Sequence, residues 1–214
     1  QLAQATFHGH WKQQSVEERA RVIRRVAGLL KERKDHYAGL MTLEMGKLLS
    51  QAEGEVEKCA WLCEYMADHA PAFLSDRTVD TEYEKSYVHY QPTGAVLGIM
   101  PWNFPLWQAF RFGIPAALAG NVILLKPAPN VPQCGLAIEE MFREAAGREG
   151  VFQTLLLEVE DVPAAIAHPI VQGVAVTGSD RAGAAVAETA GKHLKKCVLE
   201  LGGSDAFIVL DDAD

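Results

Sequence analysis

Residues 94–126 read GAVLGIMPWNFPLWQAFRFGIPAALAGNVILLK. This stretch opens and closes with short apolar runs, 94–100 and 121–126, which are typical of buried β-strands. The intervening residues 105–118 fit a helix. A strand, a helix and a second strand form a βαβ unit, so the stretch predicts a parallel sheet that is covered by helices on both faces.

The same alternation continues toward the C-terminus. The sequence predicts further helices at 133–146, 161–168 and 179–195, and further strands at 152–158, 173–178, 197–201 and 206–210. Strands that alternate with helices in this way are typical of a Rossmann-like α/β fold. The chain stops just after the last of these strands, so we expect the sheet to be incomplete.

Helices dominate the chain before about residue 75. The predicted helices cover 15–34, 35–46 and 50–70. Ser15 and Glu18 form a capping box at the start of the first helix, and Ser50 with Glu53 predicts the same arrangement for the third. The sheet is therefore expected to follow a helical segment.

Residues 81–91, TEYEKSYVHYQ, combine aromatic, β-branched and polar residues, as in a partly exposed strand. They contain too few apolar residues for a central strand, and an exposed strand edge is a template for another chain. The sequence thus divides into a helical part (1–80), this strand segment (81–91) and a Rossmann-like part (92–214).

Composition excludes several classes of protein. The chain has 214 residues, 49% of them hydrophobic and 22% charged, which is ordinary for a globular domain. Its formal net charge of −8 argues against a nucleic-acid-binding surface, which needs a basic field. No apolar run approaches the ~18 residues of a membrane span, and the first residues do not have the pattern of a signal peptide.

The cysteines and histidines predict neither a metal site nor a disulfide framework. Cys59 and Cys63 lie four residues apart on one face of a predicted helix, and only His69 is near them in the sequence. Buried reduced thiols explain the four cysteines better, and they fit a cytoplasmic protein.

Ligands of parallel α/β sheets bind at the carboxyl ends of the strands, so these ends are the candidate site. After the strand at 94–100, Asn103 stands between Pro101 and Pro105, and prolines restrict the backbone around it. A rigidly held amide is a suitable donor to an oxyanion. The alternative is a turn in which Asn103 satisfies its own backbone.

Two further strand ends carry groups that suit a nucleotide. Lys126 closes one apolar strand, from which an ammonium can reach a ribose hydroxyl or a phosphate; the alternative is a solvated lysine. Gly178 and Ser179 follow another strand and precede a helix, whose free N–H groups favour phosphate. The alternative for Ser179 is a plain helix cap.

The fourth strand end is LELGG, residues 199–203, in which Glu200 follows an apolar strand. A carboxylate in an apolar setting has a raised pKa, which suits a general base near neutral pH. Gly202 and Gly203 permit a close approach of the backbone to another group. The alternative is a glutamate that caps a helix or accepts hydrogen bonds from backbone N–H groups.

Taken together, these segments resemble the aldehyde dehydrogenase superfamily. The motifs PWNFP (101–105), KPAPN (126–130), VTGSDRAG (176–183) and LELGG (199–203) occur in the order of that family. The resemblance covers essentially the whole chain. Within the family, the chain is most similar to the NAD(P)-dependent branch that acts on succinate semialdehyde. A Rossmann-like, aldehyde dehydrogenase-like fold is therefore implied.

The resemblance implies a role for each motif. Asn103 would donate to the oxyanion, and Glu200 would be the general base that activates water. The implied binding site for NAD or NADP consists of Pro101, Trp102, Lys126, Pro129, Gly178, Ser179 and Leu201. In many relatives a glutamate that selects NAD stands where this chain has Pro129, so NADP is admissible here.

The implied reaction is covalent. A cysteine thiolate attacks an aldehyde, hydride passes to NAD(P), and water releases the carboxylic acid. Neither Cys134 nor Cys197 matches the family's nucleophile, which is expected beyond residue 214. The chain is thus interpreted as the cofactor-binding part of a longer enzyme.

Two other interpretations stay open. One is a non-catalytic module that binds nucleotide or serves in assembly. The other is a reductase that deacylates with coenzyme A and does not need the base, against which Glu200 counts.

Two expectations concern partners. Arg111, eight residues after Asn103, is predicted to bind a carboxylate of the substrate, and the alternative is a surface ion pair. Segment 81–91 is predicted to pair with another subunit in a homodimer or homotetramer.

Overall fold

The computed structural model describes residues 1–213. Its helices are α1 (Leu2–Gly9), α2 (Val16–Glu32), α3 (Lys34–Met45), α4 (Leu49–Phe73), α5 (Pro105–Leu118), α6 (Pro132–Ala146), α7 (Val162–Ala167) and α8 (Asp180–Lys192). Its strands are β1 (Arg77–Thr78), β2 (Tyr87–Val88), β3 (Ala95–Ile99), β4 (Val122–Lys126), β5 (Phe152–Thr154), β6 (Val171–Thr177) and β7 (Lys196–Glu200). None of the helices in this described part of the chain is long and apolar enough to cross a membrane.

The first two long helices follow the local signals in the sequence. Ser15 Oγ accepts a hydrogen bond from the Glu18 N–H at 3.2 Å, and the Glu18 carboxylate accepts one from the Ser15 N–H at 2.8 Å. The predicted capping box is therefore confirmed. Helix α3 ends at Gly46, whose φ of 74° is a left-handed conformation that glycine adopts without a steric cost.

The start of α4 differs from the prediction. Leu48 is its N-cap residue and provides no side-chain hydrogen bond, so the expected capping box of Ser50 and Glu53 is wrong. Ser50 already lies within the helix, one residue past its first position. Its hydroxyl is therefore not placed to accept the first free N–H groups, as a residue at the N-cap would be.

The main sheet has five parallel strands in the order β5-β4-β3-β6-β7. From β3 the chain runs outward through β4 to β5. It then returns to β6 on the other side of β3, and β7 is the outermost strand on that side. Because crossovers between parallel strands are right-handed, this reversal places α5 and α6 on one face and α7 and α8 on the other. The point of reversal, between β3 and β6, is where open α/β sheets bind ligands.

Helices α2, α3 and α4 form an outer layer over α5 and α6. The core beneath them is aromatic: the Phe142 ring lies 6.3 Å from that of Phe110 and 4.7 Å from that of Phe152, measured between centroids. The buried Trp11 indole donates to the carbonyl of Ala117 at 3.1 Å and ties the N-terminus to α5. The helical segment therefore packs on the sheet domain through one continuous core.

The remaining predicted strands have different outcomes. Tyr87–Val88, within segment 81–91, pairs antiparallel with Arg77–Thr78 in a separate exposed ribbon. The strand expected at 206–210 is wrong, because these residues form no strand and their large apolar side chains are exposed. An apolar sequence forms a strand only where a neighbour completes its hydrogen bonds, and none of residues 1–213 pairs with this one.

Candidate functional site

The carboxyl ends of the parallel strands lie side by side. Ile99, the last residue of β3, is in register with Lys126 of β4 and with Val176 of β6. Thr177, which ends β6, is in register with Glu200, which ends β7. The loops that leave these strands therefore start at one edge of the sheet, which we call the site edge.

The loop from β3 to α5 carries Asn103, between Trp102 and Phe104. All three side chains are exposed, whereas Pro101 is half-buried. The loop is held at its start, because the Met100 N–H donates to the Lys126 carbonyl at 3.1 Å. An exposed amide on a short loop with fixed ends is available to a ligand at the site edge.

Two charged residues that sequence reasoning missed hold the other end of this loop. The Glu55 carboxylate of α4 accepts hydrogen bonds from the backbone N–H groups of Leu106 and Trp107, at 3.0 and 2.9 Å. It also forms an ion pair with Lys47, and both side chains are buried. A signal was present in the sequence, because Glu55 lies on the otherwise apolar buried stripe of α4.

Lys126 is buried at the end of β4, with only 5% of its surface exposed. Burial lowers the pKa of its ammonium, and the Glu158 carboxylate opposes that shift. The ammonium donates to the carbonyl of Pro127 at 3.0 Å. No acidic side chain of residues 1–213 lies within ion-pair distance of the Lys126 ammonium. Pro129, three residues further on, is exposed and carries no charge. The geometry leaves this cation able to bind a hydroxyl or a phosphate.

Gly178 and Ser179 connect β6 to α8. Ser179 is the N-cap of α8 and its Oγ accepts from the Ala182 N–H at 3.3 Å, so the capping interpretation is confirmed. The Gly178 N–H donates to the Glu200 carbonyl at 3.0 Å. Capping by Ser179 does not prevent anion binding, because a helix start has several free N–H groups.

Glu200 and Arg111 face each other across an open cleft of about 450 Å³ between α5 and the strands β6 and β7. A guanidinium nitrogen of Arg111 lies 3.4 Å from Glu200 Oε2. Half of the Glu200 side chain is exposed, at 54%, so the apolar surroundings expected for it are not found among the described residues. The structure thus brings together two residues that the sequence placed 89 positions apart.

Leu201 packs against the first turn of α8. A Cβ atom at Gly183 would lie only 2.5 Å from Leu201 Cδ2, so the glycine makes this contact possible. The Gly202 N–H donates to Asp180 Oδ1 at 3.3 Å. The turn after Glu200 is therefore held against the start of α8.

All four cysteines are free. Cys59, Cys63 and Cys134 are buried, as expected from the sequence, and burial raises the pKa of each thiol. Burial also raises the pKa of Cys197. A nucleophilic thiolate needs a lowered pKa, and the pKa of all four thiols is shifted in the opposite direction. Among residues 1–213 no cluster of His, Cys, Asp or Glu could hold a metal ion.

The fold is a parallel α/β domain, and the site edge at its topological switch point is the candidate ligand site. The sequence model of the aldehyde dehydrogenase family matches residues 1–214, so the chain belongs to that family. The resemblance inferred from the four motifs is thereby confirmed.

Relatives of this chain include enzymes named for succinate semialdehyde. Succinate-semialdehyde dehydrogenase (NADP+) of Deinococcus radiodurans is 50% identical over 204 residues, which are 95% of this chain and 43% of the relative. Succinate semialdehyde dehydrogenase (NAD(P)+) Sad of Escherichia coli K12 is 46% identical over 214 residues, 100% of this chain and 46% of the relative.

A solved structure is also similar. Succinic semialdehyde dehydrogenase from Streptococcus pyogenes, in complex with NADP+, has a TM-score of 0.92 and 42% identity, and the match covers 99% of this chain and 47% of that one. The chain thus spans about half the length of the relatives that it matches.

Proposed function

We propose that this chain forms the cofactor-binding part of an enzyme that oxidises succinate semialdehyde to the carboxylic acid with NADP or NAD. The observation that carries the proposal is the register of the strands, which brings the four motif loops to one site edge. The names of the relatives, and the NADP+ in the solved structure from Streptococcus pyogenes, support the same substrate and cofactor.

The residues at the site edge fit a dinucleotide. Lys126 offers a buried cation without an acidic partner among residues 1–213, which suits a ribose hydroxyl or a phosphate. Gly178 and Ser179 lie at the start of α8, whose free N–H groups would bind the pyrophosphate. Pro129 brings no carboxylate, so a 2′-phosphate is not repelled. When bound, the nicotinamide supplies a hydride acceptor; Pro101, Trp102 and Leu201 would line its channel.

Three residues of this chain would act on the aldehyde. Asn103 would donate its amide N–H to the oxyanion. Glu200 would take a proton from the water that releases the acid, and its exposure gives water access to it. The far carboxylate of the semialdehyde would replace Glu200 as the partner of Arg111, which frees the base when the substrate binds.

The proposed nucleophile is a cysteine outside residues 1–214. Support comes from the four thiols described above, because burial raises the pKa of every one. We therefore expect no aldehyde oxidation from residues 1–214 alone. This thiol chemistry fits a non-catalytic nucleotide-binding module equally well, which makes that module the second candidate.

The deciding experiment assays the full-length protein with a panel of aldehydes and compares NADP with NAD. Formation of NADPH or NADH with succinate semialdehyde, at a higher kcat/KM than with butanal, is the expected result. A protein that binds either cofactor but oxidises no aldehyde would instead be the module. Turnover by residues 1–214 alone would place the nucleophile among the four cysteines.

The exposed ribbon is proposed to pair with another subunit in a homodimer or homotetramer. Its tyrosines support this, since Tyr83, Tyr87 and Tyr90 are 72%, 48% and 49% exposed. A monomeric mass of the full-length protein in light scattering would refute the pairing. We also propose a cytoplasmic location, because free cysteines persist in a reducing compartment.

A further inference from the structure

Helices α5 and α6 both begin at the site edge, and both begin with a proline. Neither has a capping side chain in its own segment: the N-cap residues Phe104 and Val131 make no side-chain cap hydrogen bond. The first N–H groups of a helix nevertheless need acceptors when they are buried. In this chain the acceptors come from distant parts of the sequence.

Two carboxylates of the helical segment supply them. Glu55 of α4 accepts from the Leu106 and Trp107 N–H groups at the start of α5, as described above. Glu44 of α3 accepts from the N–H groups of Gln133 and Cys134 at the start of α6, at 2.7 and 2.8 Å. Each carboxylate thus binds two consecutive N–H groups and lies at the positive end of a helix dipole.

The Glu55 cap is a buried network. Only 1% of the Glu55 side chain and 6% of the Lys47 side chain are exposed. One carboxylate oxygen binds the two N–H groups and the other binds the Lys47 ammonium. That ammonium also lies 3.8 Å from the centroid of the Phe104 ring, next to Asn103. Burying a charged pair costs desolvation, so stability alone is a weak reason for this arrangement.

We propose that Glu55 and Glu44 are positioning residues for the two site loops that precede α5 and α6. Glu55, with Lys47, holds the loop that carries Asn103; Glu44 holds residues 127–131, which follow Lys126. The proposal rests on the proposed function, because it assigns a different step to each loop. Loss of the Glu55 cap disturbs oxyanion stabilisation and lowers kcat, whereas loss of the Glu44 cap disturbs cofactor binding.

The test compares Glu55→Gln, Glu44→Gln and the matched control Glu57→Gln in the full-length protein. Glu57 lies on the same helix as Glu55 but pairs with Lys34 on the surface. For each variant, the experiment measures kcat, the Kd for NADP by fluorescence, and the rate of hydrogen exchange at backbone amides. A helix cap changes an equilibrium by about 2- to 30-fold, which sets the expected size of each effect.

The expected result is a crossed pattern. Glu55→Gln lowers kcat by about 2- to 30-fold with the Kd for NADP unchanged, and it speeds exchange at Leu106 and Trp107. Glu44→Gln raises the Kd for NADP by a similar factor with little change in kcat, and it speeds exchange at Gln133 and Cys134. Glu57→Gln resembles the parent protein in all three measurements.

Other outcomes overturn the proposal. If both variants lose kcat and NADP affinity together, and hydrogen exchange becomes faster across the whole sheet, the caps only stabilise the fold. Unchanged kcat and Kd despite faster local exchange would show that the loops do not need the caps. If the parent protein itself oxidises no aldehyde, the proposed function fails, while NADP affinity and exchange in Glu44→Gln still test the cap on α6.

Discussion

Replacing Arg111 by alanine separates two roles that the structure allows for this side chain. Its guanidinium lies 3.4 Å from Glu200, and the exposed fractions of the two side chains are 39% and 54%. Two unit charges at this distance attract by about 1 kcal/mol in a medium with the dielectric constant of water. Side-chain entropy reduces the net value for such an exposed pair to about 0–1 kcal/mol.

The substrate role predicts a larger effect on catalysis. A hydrogen bond between charged groups contributes about 1.5–3 kcal/mol, which corresponds to a factor of about 10 to 150. In the full-length protein, Arg111→Ala should therefore lower kcat/KM for succinate semialdehyde by this factor, mainly through KM. The kcat/KM for butanal, which has no carboxylate, should change less than about fivefold, the equivalent of the ion pair alone.

The assay follows NADPH absorbance with both aldehydes, and urea denaturation measures the free energy of unfolding. Arg21→Ala is a matched control, because Arg21 also forms an exposed ion pair, 3.9 Å from Glu18 and distant in sequence from the site loops. Equal losses of kcat/KM for the two aldehydes would refute the substrate role. A loss of unfolding free energy well above ~1 kcal/mol would refute the treatment of the pair as solvent-screened.

The remaining predictions concern catalysis, pH and packing. Glu200→Gln should retain NADP affinity and a first burst of NADPH but lose steady-state turnover; a normal steady-state rate would contradict its role as the base. Burial raises the pKa of Cys63, so the folded state binds the thiol proton more tightly than the unfolded state does. The stability that this thiol contributes is complete below the ordinary thiol pKa of ~8.5. It is lost as pH rises from there toward the pKa of the folded state. The urea midpoint should accordingly fall between about pH 8 and 10, and less steeply in Cys63→Ala; equal slopes would contradict this assignment. A Cβ at Gly98 would lie 2.0 Å from Phe112 Cζ, so Gly98→Ala should destabilise the fold by about 1–3 kcal/mol. At Gly54 nothing lies within 4 Å of an added Cβ, so Gly54→Ala should stabilise the fold by up to ~1 kcal/mol. If urea denaturation shows Gly98→Ala to be the more stable of the two variants, the packing argument is refuted.

Much of the fold was predictable from residues that are close in sequence. The apolar runs around 94–126 define β3, α5 and β4, because the period of apolar residues depends only on the geometry of a helix or a strand. The capping box of Ser15 and the end of α3 at Gly46 are local in the same sense. The carboxyl ends of the strands were also expected to lie side by side, and the parallel register confirms this.

Other features were decided only by the tertiary structure. The capping of α5 by Glu55 and the pairing of Arg111 with Glu200 each join groups that are far apart in the sequence. The same holds for residues 206–210, whose strand-like composition forms no strand because none of residues 1–213 pairs with it. A sequence pattern specifies which face of an element is apolar, but the partners of a charge, and its exposure to water, depend on which distant elements pack beside it.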